Sequence, residues 1–419
     1  MTITSNCWET KTFGECAELV RNTCQPSEFS NMPYIGLEHI EEGTLRLSET
    51  GNTNDVISTK SCFESGDILF GKLRPYFRKV IRPGFSGLCS TDIMVVRAKQ
   101  GIDQGFLFYW MASQEFVDTA TRGSEGTKMP RAKWDFLQRI VKPIPPLPEQ
   151  RAIAAILGAL DDKIELNRRM NQTLEAMAQA LFKNWFVDFE PFRDQGMKES
   201  PLGPIPRGWK AGELNNIANF VKGVSYRSDD LQESTVALVT LKSVARGGGY
   251  QQEGLKSYIG EYKPEQQLQP GEVIVAHTDL TQAAEVLGRA ARVQAHPQFP
   301  TLVASLDLVI VRSVGYAASS ELLYSMLSRS EFQEHAYSYA NGTTVLHLSI
   351  KALPEYQCVL PPSEVVDDFT RLVRPLYQCI DSNESQSQSL AAIRDTLLPK
   401  LLSGEIRIKE AEKFVEKAI

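Results

Sequence analysis

The chain contains an internal repeat, and this repeat limits the folds open to it more than any other feature. The segment "GTKMPRAKWDFLQRIVKPIPPLPEQ" begins at Gly126, and "GTTVLHLSIKALPEYQCVLPPSEVV" begins at Gly342, 216 residues later. Without gaps, a leucine and a Pro-Pro pair occupy the same places in both segments. A repeat at this distance predicts two structural units of the same kind.

The repeat continues into two segments with the apolar spacing of long helices. After the proline pairs, apolar or small residues recur at alternating intervals of three and four, which is typical of a helix packed along one stripe against a partner. An asparagine takes the same place in both stripes, and a buried asparagine there lowers stability but fixes the pairing register. Two unrelated helices on separate domains are the alternative. The predicted helix-pairing stripe consists of Leu157, Leu160, Ile164, Asn167, Leu174 and Leu181, then Val373, Leu376, Ile380, Asn383, Leu390 and Leu397.

The segments upstream of the two helices mix strand-like and helix-like patterns. The first contains the β-rich runs "DILF" and "DIMVVRA" and the helix-like "GFLFYWMASQEFVDTA"; the second contains "GEVIVAH", "LDLVIVR" and "SSELLYSMLSRSEFQEHA". We therefore predict an α+β protein: two α/β domains separated by two long antiparallel coiled-coil helices, with a pseudo-twofold internal repeat. The predicted boundaries are domain 1–145, helix 146–190, linker 191–208, domain 209–360, helix 361–402 and C-terminal tail 403–419.

Composition predicts a cytoplasmic protein. No apolar run among the 419 residues reaches membrane-spanning length, and the polar start "MTITSNCWET" lacks a signal peptide's apolar stretch. Seven cysteines without a C-x-x-C pair and five scattered histidines indicate neither a disulfide framework nor a zinc site. Buried free thiols are therefore expected, with no metal and no cofactor.

The stretch "GDILFGKLRPYFRK" from Gly66 has the G-x-x-x-x-G-K spacing of a nucleotide phosphate loop. Leu73 stands where that motif needs a magnesium-binding Ser or Thr, and Ile-Leu-Phe favours extended chain, so a strand is the better interpretation. The charge around it is unusual for a chain of formal net charge −6. Five cations face a single acid, Asp67, which gives a local charge of +4; they are Lys72, Arg74, Arg78, Lys79 and Arg82.

Two long stretches carry a resemblance to a known family. "IPPLPEQRAIAAILGALDDKIELNRRMNQTLEAMAQALFKNWFVDF" resembles the central conserved region of the specificity subunit of type I restriction-modification enzymes. "LPPSEVVDDFTRLVRPLYQCIDSNESQSQSLAAIRDTLLPKLLSGEI" resembles its C-terminal counterpart. The likeness extends to "GDILFGKLRPYFRKV", "GEVIVAHTDLTQ", "CWETKTFGE" and "GWKAGELNNI", and so covers nearly the whole chain.

The resemblance implies a function and a set of partners. Each α/β domain would be a target-recognition domain that reads one half of an asymmetric bipartite site in double-stranded DNA. The helices would dock two methyltransferase subunits, and restriction/translocase subunits would complete the assembly, without any membrane partner. Catalysis by this chain is not expected, because the sequence has no N-P-P-[FY] motif and no glycine-rich S-adenosylmethionine loop. A coiled-coil scaffold without specific DNA reading is the alternative.

The resemblance also places the +4 patch on the DNA-facing side of the first domain. Arginine grips guanine through two hydrogen bonds, and lysine mostly supplies charge to phosphates. The predicted DNA contacts are Lys72, Arg74, Tyr76, Arg78 and Lys79, then Thr127, Lys128 and Arg131 with their counterparts Asn341, Thr343, Thr344 and His347. Those in the second domain are His277, Thr278, Asp279, Thr281, Gln282, Arg289 and Arg292. A solvated basic face, an ordinary turn after each glycine, and a helix cap at Asp279 are the structural alternatives.

Overall fold

The computed structural model describes residues 8–126, 128–279, 284–315, 318–342 and 345–416, with backbone only at Glu253. The chain forms two compact units, one of Met1–Leu166 with Ser387–Ile419 and one of Asn167–Gln386. Within the described residues, no helix has the length and hydropathy needed to cross a membrane.

The first unit is built from short strands and helices, in agreement with the predicted α+β class. Its strands are β1 Glu9–Thr12, β2 Ala17–Leu19, β3 Thr23–Cys24, β4 Pro33–Ile35, β5 Gly51–Asn52, β6 Lys60–Phe63, β7 Ile68–Gly71, β8 Val80–Ile81, β9 Gly87–Cys89, β10 Ile93–Ala98 and β11 Val141–Ile144. Its α-helices before the second unit are α1 Phe13–Cys16, α2 Gln104–Ala112, α3 Gln114–Arg122, α4 Trp134–Leu137 and the first half of α5 Leu147–Phe186.

The second unit repeats this plan. Its strands are β12 Met197–Lys198, β13 Ile205–Pro206, β14 Lys210–Glu213, β15 Ala218–Lys222, β16 Val236–Val239, β17 Lys256–Ser257, β18 Gln267–Leu268, β19 Val273–Ala276, β20 Thr278–Asp279, β21 Ala290–Arg292, β22 Thr301–Ala304, β23 Leu308–Ser313, β24 Ala340–Asn341, β25 Leu346–Leu348 and β26 Gln357–Leu360. The helices from this point on are α6 Ser320–Leu327, α7 Ser330–Ser338, α8 Ser363–Ser403 and α9 Ile408–Glu416, of which the end of α8 and all of α9 belong to the first unit.

Both units contain a four-stranded sheet with the same strand order. The order is β2-β10-β7-β8 in the first unit and β15-β23-β19-β21 in the second. The strand β7 is buried along its whole length, which agrees with the strand predicted there and excludes a phosphate-binding loop. A five-stranded sheet, β3-β6-β9-β4-β5, completes the first unit, and β17-β16-β22-β18 takes its place in the second.

Each helix-like stretch of the sequence proves to be two helices. Helix α2 ends before Ser113, whose backbone is extended, with φ −66° and ψ 145°. The Ser113 hydroxyl then accepts a hydrogen bond from the Phe116 amide (3.3 Å) and caps α3. Helix α2 is apolar on all sides and buried, which its composition already indicates. In the second unit, α6 and α7 are separated by Ser328 and Arg329.

The core of the first unit includes residues that are distant in sequence. Leu157 and Leu160 of α5 are fully buried in one cluster with Leu390 and Leu397 of α8. Helix α9 joins the same cluster through Ala411 and Val415, so part of the segment expected as a C-terminal tail is packed. Hydrophobic burial therefore ties residues 387–416 to the first unit.

The core of the second unit is rich in aromatic side chains. Phe186 of α5 packs edge-on against Phe369 of α8, with ring centroids 4.9 Å apart. Trp209 lies 5.7 Å from Phe186 and 5.0 Å from Phe192, and all four side chains are buried. The segment predicted as a linker thus contributes Phe192 and Ile205 to the core.

The expectation of buried free thiols holds for Cys16, Cys89 and Cys358 and is wrong for one pair. Cys24 and Cys62 form a disulfide between β3 and β6. The two strands are antiparallel neighbours, and Cys24 lies opposite Lys60. Strand pairing brings these two cysteines together, and no spacing motif in the sequence marks such a pair.

The two long helices contact each other within each unit. In the second unit, Asn167 donates to Gln386 (2.9 Å) and to the carbonyl of Asn383 (3.3 Å), and Asn383 donates to Asn171 (2.8 Å). Along α5 from Asn167 to Phe182, the contacted residues of α8 run backward from Gln386 to Phe369, so the two segments are antiparallel. Of the stripe residues, Leu174, Leu181, Leu376 and Ile380 are half-buried, and the others are buried.

Candidate nucleic-acid interface

The +4 patch follows the end of β7 and forms a tight turn. A single 3₁₀ turn, Pro75–Phe77, lies between Arg74 and Arg78, and both arginines have left-handed backbones, with φ of +50° and +49°. This conformation costs a residue with a side chain roughly 1 kcal/mol or more. Hydrogen bonds hold it, since the Arg74 amide donates to the Pro130 carbonyl (2.8 Å) and the Arg78 amide to that of Pro75 (2.9 Å). Strain of this kind is typical of ligand-binding turns.

The cations of the patch have different surroundings. The Arg78 side chain donates to the Ala112 carbonyl (2.7 Å) and to Asp395 (3.2 Å). Lys79 donates to the Leu37 carbonyl (2.7 Å), and burial lowers the pKa of its ammonium group. Lys72 and the exposed Arg74 and Arg82 have no ion pair with any residue in the described ranges, and Arg82 lies over the Phe108 ring. The cations left available for a ligand are therefore Lys72, Arg74 and Arg82.

The second predicted group lies directly beside this turn. Leu73 and Arg131 form an antiparallel bridge, and the Ala132 amide donates to the Lys72 carbonyl (2.9 Å). The Arg131 guanidinium pairs with Asp92, with Nε–Oδ1 and Nη2–Oδ2 distances of 3.0 and 3.3 Å. Tyr76 and Lys128 are exposed near the same bridge, while Thr127 lies outside the described residues. The fold thus brings the two predicted groups of the first domain together.

Glycine is required where each repeat segment begins. Gly126 has φ +99°, and a Cβ there would lie 3.1 Å from the Met129 carbonyl oxygen. Gly342 has φ +113°, and a Cβ there would lie 2.1 Å from the Val345 carbonyl oxygen. Only glycine adopts such a backbone without strain, so the aligned glycines mark the same turn in both units.

In the first unit, the strand-end residues Lys72 and Leu73, with Arg131 bridged to Leu73, form what we call the strand-end frame. The second unit has the same frame with different side chains. His347 pairs with Thr278 on one side and with Asn341 on the other, as Arg131 bridges to Leu73 and Glu125 in the first unit. Asn341 and His347 are exposed. The other predicted residues of this turn and of the neighbouring loop, Thr281, Gln282, Thr343 and Thr344, lie outside the described residues.

Several residues of the second unit that were predicted to contact DNA make hydrogen bonds within the protein. The Thr278 hydroxyl donates to Asp307 (2.8 Å), and the buried Asp279 carboxylate accepts from the amides of Val286 (2.7 Å) and Leu287 (3.2 Å). The Asp279 carboxylate therefore caps backbone amides. This agrees with the cap considered as the structural alternative for Asp279, although residues 284–287 are not helical. A DNA contact by Thr278 or Asp279 stays a prediction.

Three of the four basic residues predicted as DNA contacts in the second unit are largely enclosed. Arg292 makes two hydrogen bonds to Asp381 (2.6 and 2.8 Å) and lies over the Tyr377 ring. Arg289 is half-buried, and its Nε has no partner among the described residues. His277 is 8% exposed, and burial lowers the pKa of its imidazole to about 4, which keeps it neutral near pH 7.

Two residues of the frame were missed from the sequence. Asp92 and Asp307 each hold the residue that follows the buried strand of their unit. Their backbone carbonyls accept hydrogen bonds from the amides of Lys72 (2.9 Å) and His277 (2.7 Å), respectively. Their carboxylates then bond Arg131 and Thr278. Each aspartate comes directly before the aligned strands β10 and β23, which is the signal that identifies the pair.

Comparison with known proteins finds chains of similar sequence. Residues 6–176 match the family model described as "Type I restriction modification DNA specificity domain". The MjaIX specificity subunit of Methanocaldococcus jannaschii is 27% identical over 92% of this chain and 86% of its own length. The HindI specificity subunit of Haemophilus influenzae is 25% identical over 95% of this chain and 99% of its own.

A solved structure shares the fold. The S subunit of a type I restriction-modification system from M. genitalium superposes with a TM-score of 0.54 at 16% identity, covering 96% of this chain and 97% of that one. The sequence matches confirm the resemblance predicted above: the chain is homologous to the specificity subunits of type I restriction-modification enzymes.

Proposed function

We propose that this chain is the DNA-specificity subunit of a type I restriction-modification complex and recognises an asymmetric, bipartite site. Each unit would read one half-site. The chain itself would catalyse nothing and would bind no cofactor. Two methyltransferase subunits and the restriction/translocase subunits would supply the chemistry.

One observation carries the proposal: the two units repeat a strand-end frame and change the side chains on it. Lys72, Leu73 and Arg131 occupy the first frame, and His277, Thr278 and His347 occupy the second. Phosphate contacts position a protein on DNA, while hydrogen bonds to base edges specify sequence. A repeated frame with different polar side chains fits two half-sites of different sequence.

The long helices support a spacer role. Helix α5 has 40 residues and α8 has 41, so each is about 60 Å long at 1.5 Å per residue. Residues of each helix belong to both units. We propose that the helices set the distance between the half-sites and dock the methyltransferase subunits, as the family resemblance implies.

Methylation of genomic DNA tests the function. Expressed with its cognate methyltransferase subunits in a methylation-free host, the chain is expected to direct methylation to one sequence with two specific parts and an unspecified spacer. The chain alone is expected to methylate nothing. Methyl transfer by the purified single chain, or methylation without sequence preference in the complex, contradicts the proposal.

Arg74 is expected to read bases in the first half-site. Replacing Arg74 with alanine should weaken binding of the methyltransferase complex to its cognate site by about 1–3 kcal/mol and relax preference in that half alone. Arg74→Lys is the matched control, because it keeps the charge but loses the two-pronged hydrogen bond. If Arg74→Lys keeps both the affinity and the base preference of the parent, Arg74 contacts phosphate. If Arg74→Ala binds as tightly as the parent, Arg74 is not part of the interface. Binding to DNAs with each base of the half-site changed measures both effects.

The scaffold alternative predicts something different. A coiled coil that reads no DNA would leave binding insensitive to every residue of the +4 patch. Loss of affinity on neutralising Arg74 therefore separates the two functions.

A further inference from the structure

A cavity in the first unit lies against the strand-end frame, and the charged groups of its described wall are cationic. Its volume is about 480 Å³. The ionisable residues that line it are Arg21, Lys72, Arg131 and Lys133, accompanied by the hydroxyls of Thr23, Ser61 and Thr91 and the indole of Trp134. Among the residues that the structure describes, no acidic one lines the cavity. In a chain of net charge −6, such a wall indicates an anionic ligand.

Two of these cations already have partners and two do not. Arg131 pairs with Asp92 (3.0 Å), and Lys133 lies 3.3 Å from the exposed Glu125. Lys72 and Arg21 have no ion pair within the residues that the structure describes. The cavity thus holds two uncompensated positive charges.

The second unit places basic residues at the same three positions. In the first unit, the residue after Val20, which donates to the Val95 carbonyl (2.9 Å), is Arg21. In the second unit, β15 pairs Val221 with Ile310 of β23, and the next residue is Lys222. The frame equivalents of Lys72 and Arg131 are His277 and His347. Three basic side chains therefore recur at matching places although the two units differ at most others.

The three basic residues of the second unit also lie near one another. Burial, with Lys222 and His347 nearby, lowers the pKa of the His277 imidazole, and His347 pairs with Thr278, the residue next to His277. His277 Nε2 is buried and has no hydrogen-bond partner among the described residues. Buried polar atoms are rarely left unsatisfied, so this nitrogen is suited to a ligand that the structure does not contain.

We propose that these clusters, Arg21-Lys72-Arg131-Lys133 in the first unit and Lys222-His277-His347 in the second, are phosphate-binding sites. The inference rests on the proposed function and extends it, because it adds Arg21, Lys133 and Lys222 to the interface and gives them a role independent of sequence. The phosphate is a backbone phosphate of the bound duplex beside each half-site. A free polyphosphate presents the same chemistry and is separated by the experiment.

The test uses the assembled methyltransferase complex and two charge-matched double variants. The cavity variant is Arg21→Gln with Lys133→Gln, and the control variant is Arg122→Gln with Arg139→Gln, two exposed cations of the same unit that do not line the cavity. Thermal unfolding establishes that both variants fold like the parent. DNA affinity is then measured from 50 to 200 mM salt on cognate and unrelated duplexes.

We expect the cavity variant to bind all duplexes more weakly and to lose about two units of salt slope, so its affinity falls about 12-fold less than the parent's across that salt range. The control variant should keep the parent slope. An unchanged slope in the cavity variant overturns the inference. The proposed function fails separately, if the complex methylates DNA without sequence preference.

Two ligand arms identify the phosphate. Duplexes with single neutral methylphosphonates beside the first half-site should weaken the parent at one or two positions and leave the cavity variant unaffected there, as expected for a DNA phosphate. Inorganic tripolyphosphate is titrated calorimetrically in parallel. Binding of tripolyphosphate that the cavity variant abolishes, with no methylphosphonate effect, assigns the site to a free phosphate compound and overturns the backbone assignment. No effect in either arm overturns the phosphate site itself.

Discussion

Replacing Arg394 with methionine is expected to destabilise the first unit by about 3 kcal/mol. The Arg394 side chain is 3% exposed, and its Nη1 donates to Asp161 of α5 at 2.7 Å. Asp161 also accepts from the buried Tyr109 hydroxyl at 2.6 Å. Burial, and then the neighbouring Asp161 carboxylate, raise the pKa of Tyr109 well above its usual range. Loss of the guanidinium leaves the Asp161 carboxylate, 26% exposed, without its counter-ion.

A paired variant separates charge from packing. Arg394→Met combined with Asp161→Asn removes both charges, keeps an amide oxygen as acceptor for the Tyr109 hydroxyl, and should recover most of the lost stability, because no buried carboxylate is left unpaired. Urea unfolding of the assembled complex, followed by circular dichroism, measures both variants. A loss below 1 kcal/mol for Arg394→Met, or no recovery in the double variant, shows that the ion pair does not hold α5 and α8 together in this unit.

Lengthening both long helices by one heptad is expected to change the recognised site. The insertions are placed at the level where Asn383 contacts Asn171, so that the antiparallel pairing stays in phase. Seven residues add about 10 Å, which corresponds to about three base pairs at 3.4 Å each. The complex should then methylate a site with unchanged halves that lie about three base pairs further apart.

Sequencing of methylated sites in cells that express the lengthened subunit measures the new spacing. Inserting four residues into only one helix is the control, because it rotates the stripe out of register and should damage folding. A folded, active complex that keeps the original spacing contradicts the spacer role of the helices.

The sequence predicts well those elements that depend on the spacing of apolar residues close together in the chain. The buried strand Ile68–Gly71 and the helical spacing of α5 follow from residues close together in the chain. The asparagines at matching stripe positions, Asn167 and Asn383, lie buried and bonded across the helix pair. The break at Ser113 is also local, but the apolar residues on both sides conceal it.

The candidate site depends on contacts that no local pattern contains. Arg78 and its partner Asp395 are 317 residues apart, so a count of cations in the patch overstates the charge available to DNA. The left-handed backbones of Arg74 and Arg78 have no signal in residue type, since glycine or asparagine is the usual occupant. The bridge between Leu73 and Arg131 joins two candidate groups that lie in separate segments of the sequence.

The distribution of the first unit over two separate stretches of chain has a consequence for synthesis. The second unit is one continuous segment and can fold as soon as it has been translated. The first unit must wait for Leu390, Leu397 and Val415, about 250 residues after Leu166, which takes roughly 12–50 s at 5–20 residues per second. During that interval the apolar face that includes Leu157 stays uncovered. A nonsense mutation at residue 387 therefore removes part of the core of the unit that is made first and leaves the whole of the unit that is made second.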